Sequence, residues 1–208
     1  QNSSPCRCAC RRRDLLSNPR KTNEQASPEA AVDSAATAAL IRECIDGDHD
    51  AMGRLYERCS GRVYALMVRM VGRQDADDAM QLAFMQVFRK LDRFSGGSSL
   101  ETWIYRVATN EALQFLRRRK RDNVDTLSLE PESKVSQSGL RLEDAEMLEA
   151  GLGKLEPELR AVLTLKEVQE LSYAEIAEIM DIPEGTVGSR LNRARRELRD
   201  ELERLGWR

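Results

Sequence analysis

The stretch LETWIYRVATNEALQFLRRRKR, residues 100–121, carries aromatic, amide and cationic side chains at helical spacing. Trp103, Arg106, Asn110, Gln114 and Arg117 recur every three or four residues, so a helix brings them to one side. Together they meet the needs of unpaired bases: a π-face to stack on, an amide for a base edge and charges for phosphate. Phe94 and the loop SGGSS, residues 95–99, come just before and suit a pocket for an extruded base. A plainer reading competes: Phe94 and Trp103 as core aromatics, and the basic run as a solvated helix end favoured by the helix dipole.

A second constellation lies in SYAEIAEIM-DIPE-GTVGSRLNRARRELRDEL. Ser172 and Glu175 have capping-box spacing. Ile176, Ala177 and Ile179 give a short apolar helix, DIPE a tight turn, and Pro183 restarts the chain. Val187, Leu191, Ala194, Leu198 and Leu202 then form the apolar stripe of a long helix. Its other side presents Ser189, Asn192, Arg193, Arg196 and Arg199. A helix-turn-helix with that face suits a DNA major groove, where Arg grips guanine and Asn pairs with adenine. An ordinary solvated amphipathic helix is the alternative. A third surface is DADDAMQLAFMQVF, which leaves Asp78, Gln81 and Met85 off its main stripe, as a face for a partner helix requires.

The elements that must position these groups are helical throughout. TAALIRECI is a short amphipathic helix, and Met52, Leu55, Tyr56, Cys59, Val63 and Leu66 recur at helical spacing in the next, which stops at Gly72. Met80, Phe84, Val87 and Leu91 form the stripe of a third, and Leu100, Ile104, Val107, Ala108, Phe115 and Leu116 that of the fourth. Periodicity fails in DNVDTLSLEPESKVSQSG and resumes at Leu140. The expected fold is all-α: a disordered tail 1–34, a helical domain 35–122, a flexible linker 123–139 and a second helical domain 140–208.

Composition sets limits. The chain has 208 residues, 41% hydrophobic and 33% charged, with 33 Lys+Arg against 35 Asp+Glu. A net charge of -2 is poor for gripping nucleic acid unaided, so charge placement must carry any such role. No apolar run is long enough to span a membrane, and no small-molecule site is evident. The five cysteines are Cys6, Cys8, Cys10, Cys44 and Cys59, and the single histidine is His49, so no zinc-ligand pattern arises. Cys44 and Cys59 fall on buried helix positions, consistent with a reducing cytoplasm. With one His, no Gly-rich phosphate loop and no nucleophile motif, an enzyme is not expected, and neither is a cofactor or metal.

From about Ala39 to Arg204 the chain resembles the extracytoplasmic-function (group IV) bacterial RNA polymerase sigma factors of the sigma-70 family. DADDAMQLAFMQVFRKLDRFSGGSSLETWIYRVATNEALQFLRRRKR resembles region 2, and LEPELRAVLTLKEVQELSYAEIAEIMDIPEGTVGSRLNRARREL resembles region 4. The resemblance implies promoter-specific initiation. Region 2 would dock on the β′ clamp helices of core polymerase through Asp78, Gln81, Phe84, Met85 and Phe88. Phe94, Ser95, Gly96, Gly97, Ser98, Trp103, Arg106, Asn110 and Arg117 would read and trap the melted -10 element. Region 4 would meet the β flap and read the -35 element with Thr186, Ser189, Arg190, Asn192, Arg193 and Arg196, with Lys166 near the phosphates. A cognate anti-sigma protein is the implied regulator. A basic residue is usual where Gly188 stands, which implies one phosphate contact fewer. The competing reading is a dimeric helix-turn-helix regulator that needs no polymerase; it leaves the face of Trp103 and Asn110 without a role.

Overall fold

Asp48 opens the helix around which the others assemble. Its carboxylate accepts hydrogen bonds from the N–H groups of Asp50 (2.8 Å) and Ala51 (3.3 Å), satisfying donors that a helix start leaves free. The computed structural model describes the backbone of residues 28–125 and 140–207 and the side chains of 35–121 and 144–207. These residues are all-α: α1 (Pro28–Ile45), α2 (His49–Val71), α3 (Arg73–Lys90), a 3-10 turn (Leu91–Arg93), α4 (Leu100–Asp125), α5 (Leu140–Lys154), α6 (Pro157–Glu167), α7 (Tyr173–Met180) and α8 (Glu184–Arg204). No strand occurs among the described residues.

Helix α2 buries Ala51, Leu55, Cys59, Val63, Leu66, Met67 and Met70. The stripe advances in steps of three and four, so one flank of the helix is dry. It ends at Gly72, whose φ of 90° is open to glycine and strained for other residues. Helix α3 answers with Ala76, Ala79 and Ala83, small residues that let the two backbones approach, and with the larger Met80, Phe84 and Val87. Helix α4 closes this group with Leu100, Ile104, Val107, Ala108 and Ala112. Burial pushes the Cys59 thiol up to about 11, and that of Cys44 upward as well. Both thiols therefore stay protonated and behave as small core hydrophobes.

In the second group α6 is the core element, with Leu159, Ala161, Val162, Leu163 and Leu165 all buried. Pro157 stands at its start, as its fixed φ favours. The capping box of α7 is present: Ser172 Oγ accepts from the Glu175 N–H, and Glu175 Oε2 accepts from the Ser172 N–H at 2.9 Å. Asp181 ends α7 in the left-handed region, and α8 begins beyond Pro183 and packs Val187, Leu191 and Ala194 inward. Helices α5 and α8 meet at Gly151, where a Cβ would stand 3.1 Å from both Leu198 and Leu202. Only glycine gives that approach without displacing them.

Two boundaries and the packing of the two groups differ from the sequence-based expectation. Helix α1 begins at Pro28, inside the stretch expected to be disordered; residues 1–27, with Cys6, Cys8 and Cys10, lie outside the described residues. Its opening PEAAVDSAATAA has strong helix formers but no apolar stripe, so periodicity passes it over. Helix α4 continues to Asp125, past the expected start of the linker, and the rest of that linker also lies outside the described residues. Finally, the two helical groups are packed together, and one buried core runs through both.

The seam between the groups centres on Arg160, which is only 7% exposed. Its guanidinium donates to the carbonyl of Met70 on α2 (2.7 Å) and to those of Gly153 (2.7 Å) and Leu155 (3.3 Å). Burial pulls its pKa down to about 10, so it remains charged at neutral pH. Around it, Gln169 Nε2 donates to the Arg62 carbonyl at 3.0 Å and Thr102 Oγ1 donates to Glu175 Oε1 at 3.4 Å.

Two outcomes are expected. Arg160→Ala leaves three carbonyls without their charged donor and lowers the unfolding free energy by about 2–4 kcal/mol, read by urea titration. A cost within error of an exposed Arg→Ala control contradicts this. The second concerns acid. Hydrogen bonds from Ser172 hold the Glu175 carboxyl below its ordinary value. Its contribution is therefore fully present above the ordinary carboxylate pKa and is lost as pH falls through the lower folded value. Glu175→Gln should flatten that part of the acid limb in thermal melts; an unchanged acid limb rejects the assignment.

Candidate nucleic-acid interface

The loop after the 3-10 turn is held at both ends. The Phe94 N–H donates to the Leu91 carbonyl (3.1 Å), and Ser99 Oγ accepts from the Thr102 N–H (3.0 Å), capping α4. Between them Ser95, Gly96 and Gly97 are exposed and Ser98 is half-buried. The Phe94 and Trp103 rings meet edge to face, centroids 5.7 Å apart at 63°. Both are half-buried and packed on the core, so each ring is braced from behind with part of its surface open. Core packing of these aromatics therefore leaves part of each ring exposed.

Further along α4, Arg106 is half-buried, and Asn110, Gln114 and Arg117 are exposed. The same helix turns Leu100, Ile104, Val107, Ala108 and Ala112 into the core. Structure thus brings Phe94, the loop, Trp103, Arg106, Asn110 and Arg117 along one side of α4. Arg117 is already engaged, with Nη2 3.3 Å from Glu158 Oε1. Beside the loop is a cleft of about 350 Å³, whose walls include Phe94, Ser98, Glu101, Thr37 and Arg58. Arg58 ties these walls together, with Nη2 2.7 Å from Glu101 and Nη1 3.3 Å from the Thr37 hydroxyl. Sequence reading missed Thr37 and Arg58 because they come from α1 and α2, and spacing within one helix carries no information about a neighbour.

On α8, Ser189, Asn192, Arg193 and Arg196 are exposed, and Thr186 and Arg190 are half-buried. Ser189 Oγ donates to the Thr186 carbonyl (2.8 Å). Arg193 donates through Nε to Glu197 at 2.7 Å, which pushes its pKa upward, and its Nη2 lies 3.6 Å from Glu156. Arg193 must exchange these partners before it can touch a base, whereas Arg196 lies exposed on the same face. Lys166 stands apart: its ammonium donates to the Leu171 carbonyl (3.0 Å) and sits 5.7 Å from the Tyr173 ring, bracing the turn before α7. Gly188 faces the same ring, at ordinary contact distance.

The surface of α3 divides. Asp78, Gln81 and Met85 are exposed, Met85 at 54%, and Phe88 is half-buried. Phe84 departs from the expected surface set: at 4% exposed it is a core residue, its ring tilted against those of Tyr56 (4.7 Å) and Phe88 (6.1 Å). Its period places it on the stripe with Met80 and Val87, and burial wins. Tyr56 is exposed at the edge of this cluster. Among the described residues, no cluster of His, Cys, Asp and Glu is arranged to hold a metal, and no helix is long and apolar enough to cross a membrane.

Comparison with known proteins agrees with this architecture. Sigma-70 region 2 matches residues 55–122, and Sigma-70 region 4 matches residues 145–198. The chain is 36% identical over 180 residues to the ECF RNA polymerase sigma-E factor of Haemophilus influenzae, covering 80% of this chain and 95% of that one. It is 33% identical to the ECF RNA polymerase sigma factor SigW of Bacillus subtilis, covering 79% and 96%. In fold it is similar to CnrH, solved in complex with the cytosolic domain of CnrY, with TM-score 0.59, 24% identity and coverage of 79% and 96%. It is also similar in fold to the sigma factor RpoE of Bartonella quintana, solved with the anti-sigma factor NepR, with TM-score 0.58, 24% identity and coverage of 73% and 96%. Two sigma regions matched in order, and relatives of this identity along nearly their full length, make the chain a member of the ECF RNA polymerase sigma factors of the sigma-70 family.

Proposed function

We propose that this chain docks on core RNA polymerase in the cytoplasm and selects promoters by reading the -10 element with α4 and its preceding loop and the -35 element with α8. The polymerase supplies the chemistry and most of the grip on DNA, which suits a chain of net charge -2. Asp78, Gln81, Met85 and Phe88, with Tyr56 beside them, form the docking surface for the β′ clamp helices. The second helical group meets the β flap. An anti-sigma protein that covered the α3 surface would hold the factor silent. The dimeric-regulator reading gives neither the α3 surface nor the α4 face any work.

The observation that carries this reading is the α4 face. Two braced aromatic rings, 5.7 Å apart, stand beside an exposed amide on a helix whose other side is core. Stacking of a base on such a ring contributes about 1–3 kcal/mol. That energy becomes available only when the base has left the duplex, so the face rewards melting rather than duplex binding. Reconstitution with core polymerase and mapping of transcript 5′ ends tests the function; absence of promoter-specific initiation rejects it.

Two substitutions test the assignments. Trp103→Ala and Asn110→Ala should lower permanganate reactivity of -10 thymines by about 5–100-fold in open-complex yield while leaving initial duplex binding within about 2-fold. Equal losses at both stages contradict a melting role. On α8, Arg196→Ala should weaken a promoter with a guanine-containing -35 element by about 1–3 kcal/mol. Arg193→Ala should cost less, because Glu197 already holds that guanidinium. Identical transcription from matched and scrambled -35 promoters in wild type and Arg196→Ala overturns the assignment.

A further inference from the structure

A cleft of about 480 Å³ opens between the last turn of α6 and the flank of α8, a size usual for a small-molecule site. Exposure orders its walls. Leu152, Leu163 and Thr164 are buried and form the floor. Leu198 and Arg69 are half-buried and stand above them. Glu167 and Arg195 are exposed and form the rim, with Arg195 Nε and Nη2 both on Glu167 Oε1, at 3.2 and 2.6 Å. Two guanidiniums against one carboxylate leave the cleft an excess of one positive charge. The floor carries a different demand. Thr164 is 2% exposed, and its hydroxyl has no hydrogen-bond partner. Valine would fill the same space without burying a donor. An unpaired buried donor costs stability, and an acceptor brought by a ligand recovers that cost.

We propose that this cleft is a binding site for a small aliphatic carboxylate with a second oxygen at its inner end. The carboxylate stays near the rim, where Arg69 and the remaining donors of Arg195 meet it and water still reaches it. A head group kept there avoids the desolvation that a buried charge suffers. The chain then lies on Leu152, Leu163 and Leu198. The walls are branched aliphatic side chains with no aromatic ring among them, so they suit a flexible alkyl chain better than a flat ring. At the floor the inner oxygen accepts from the Thr164 hydroxyl. None of these walls is among the residues assigned to promoter DNA or to the α3 surface, so the site owes nothing to the promoter-reading function. Spacing along one helix does not disclose it, because its walls come from α2, α5, α6 and α8.

The test titrates the full chain by calorimetry with ω-hydroxyoctanoate, octanoate and octanol, each kept below micelle formation. Wild type should bind ω-hydroxyoctanoate saturably, with a Kd below about 1 mM. Octanoate should bind roughly 2–10-fold more weakly, and octanol more weakly still. Arg69→Gln should weaken both acids roughly 3–30-fold and leave octanol unmoved. Thr164→Val should abolish the preference for the ω-hydroxy acid and leave octanoate within about 2-fold. Arg54→Gln removes the same charge from an exposed site on α2 outside the cleft and should change nothing. In methyl NMR spectra Leu152, Leu163 and Leu198 should shift on titration, whereas Leu66, in the core of the first group, should not. No saturable binding of either acid, equal affinities in wild type and Arg69→Gln, or shifts that miss these three leucines overturns the site. If circular dichroism shows Arg69→Gln unfolded, wild type decides the charge: octanol binding as tightly as octanoate overturns it. Equal affinity of wild type for the two acids overturns the role of Thr164 and with it the ligand class, and that comparison needs no variant.

Discussion

A guanidinium taken out of water costs several kcal/mol unless the groups around it turn their carbonyls inward. Arg160 imposes that demand on three carbonyls at two places in the chain. Met70 lies in the last turn of α2, and the last carbonyls of any helix lack partners within it. Gly153 lies in the last turn of α5 and Leu155 just beyond it, before α6. One planar fork of donors settles all of these, and in doing so it fixes where α2 stops relative to where α6 starts. Most of the seam can be derived from that point: Gln169 reaches the Arg62 carbonyl, and Glu175 comes within reach of Thr102. The charge is retained at neutral pH in spite of burial, since even a pKa drawn down to about 10 leaves it protonated.

The same economy of parts marks the α4 face. Trp103 and Phe94 are structural and exposed together, and a reader of unpaired bases needs both properties. A ring free to rotate would lose entropy on stacking, whereas one braced by the core has already lost it. The loop before α4 is pinned at Phe94 and at Ser99, which leaves its serines and glycines exposed without leaving its ends loose. Arg58 then couples that loop's far wall to α1 through Thr37 and to α4 through Glu101.

What the sequence discloses and what it hides divide along a physical line. Periodic features were legible: the dry stripes of α2, α3, α4 and α8, the Ser172–Glu175 cap, and the exposed run of Ser189, Asn192, Arg193 and Arg196. Each depends on residues within two turns of one another. Features that depend on distant partners were not. Arg160 sits in ELRAVLTL, where it reads as the polar interruption of an amphipathic helix, and nothing local says that it faces a carbonyl ninety positions earlier. Arg117 looked available because Glu158 lies 41 residues away. Phe84 was assigned to both the stripe and the docking surface, and only packing against Tyr56 settles which. The opening of α1 was missed for the opposite reason: its helix rests on alanine propensity, which leaves no pattern to see.

The absent side chain at Gly151 has a mechanical meaning. Leu198 and Leu202, which fill the space a Cβ would need, lie on the rear of α8, away from the run that ends at Arg196. The reading helix is therefore seated from behind, on a bearing whose thickness is set by one hydrogen atom. Any larger residue at 151 acts as a shim. Its Cβ meets the methyl ends of Leu198 and Leu202, which must give by a few tenths of an ångström or pass the displacement on to α8. If α8 reads the -35 element as proposed, promoter preference is adjustable from a position that never approaches a base, through leverage rather than through contact.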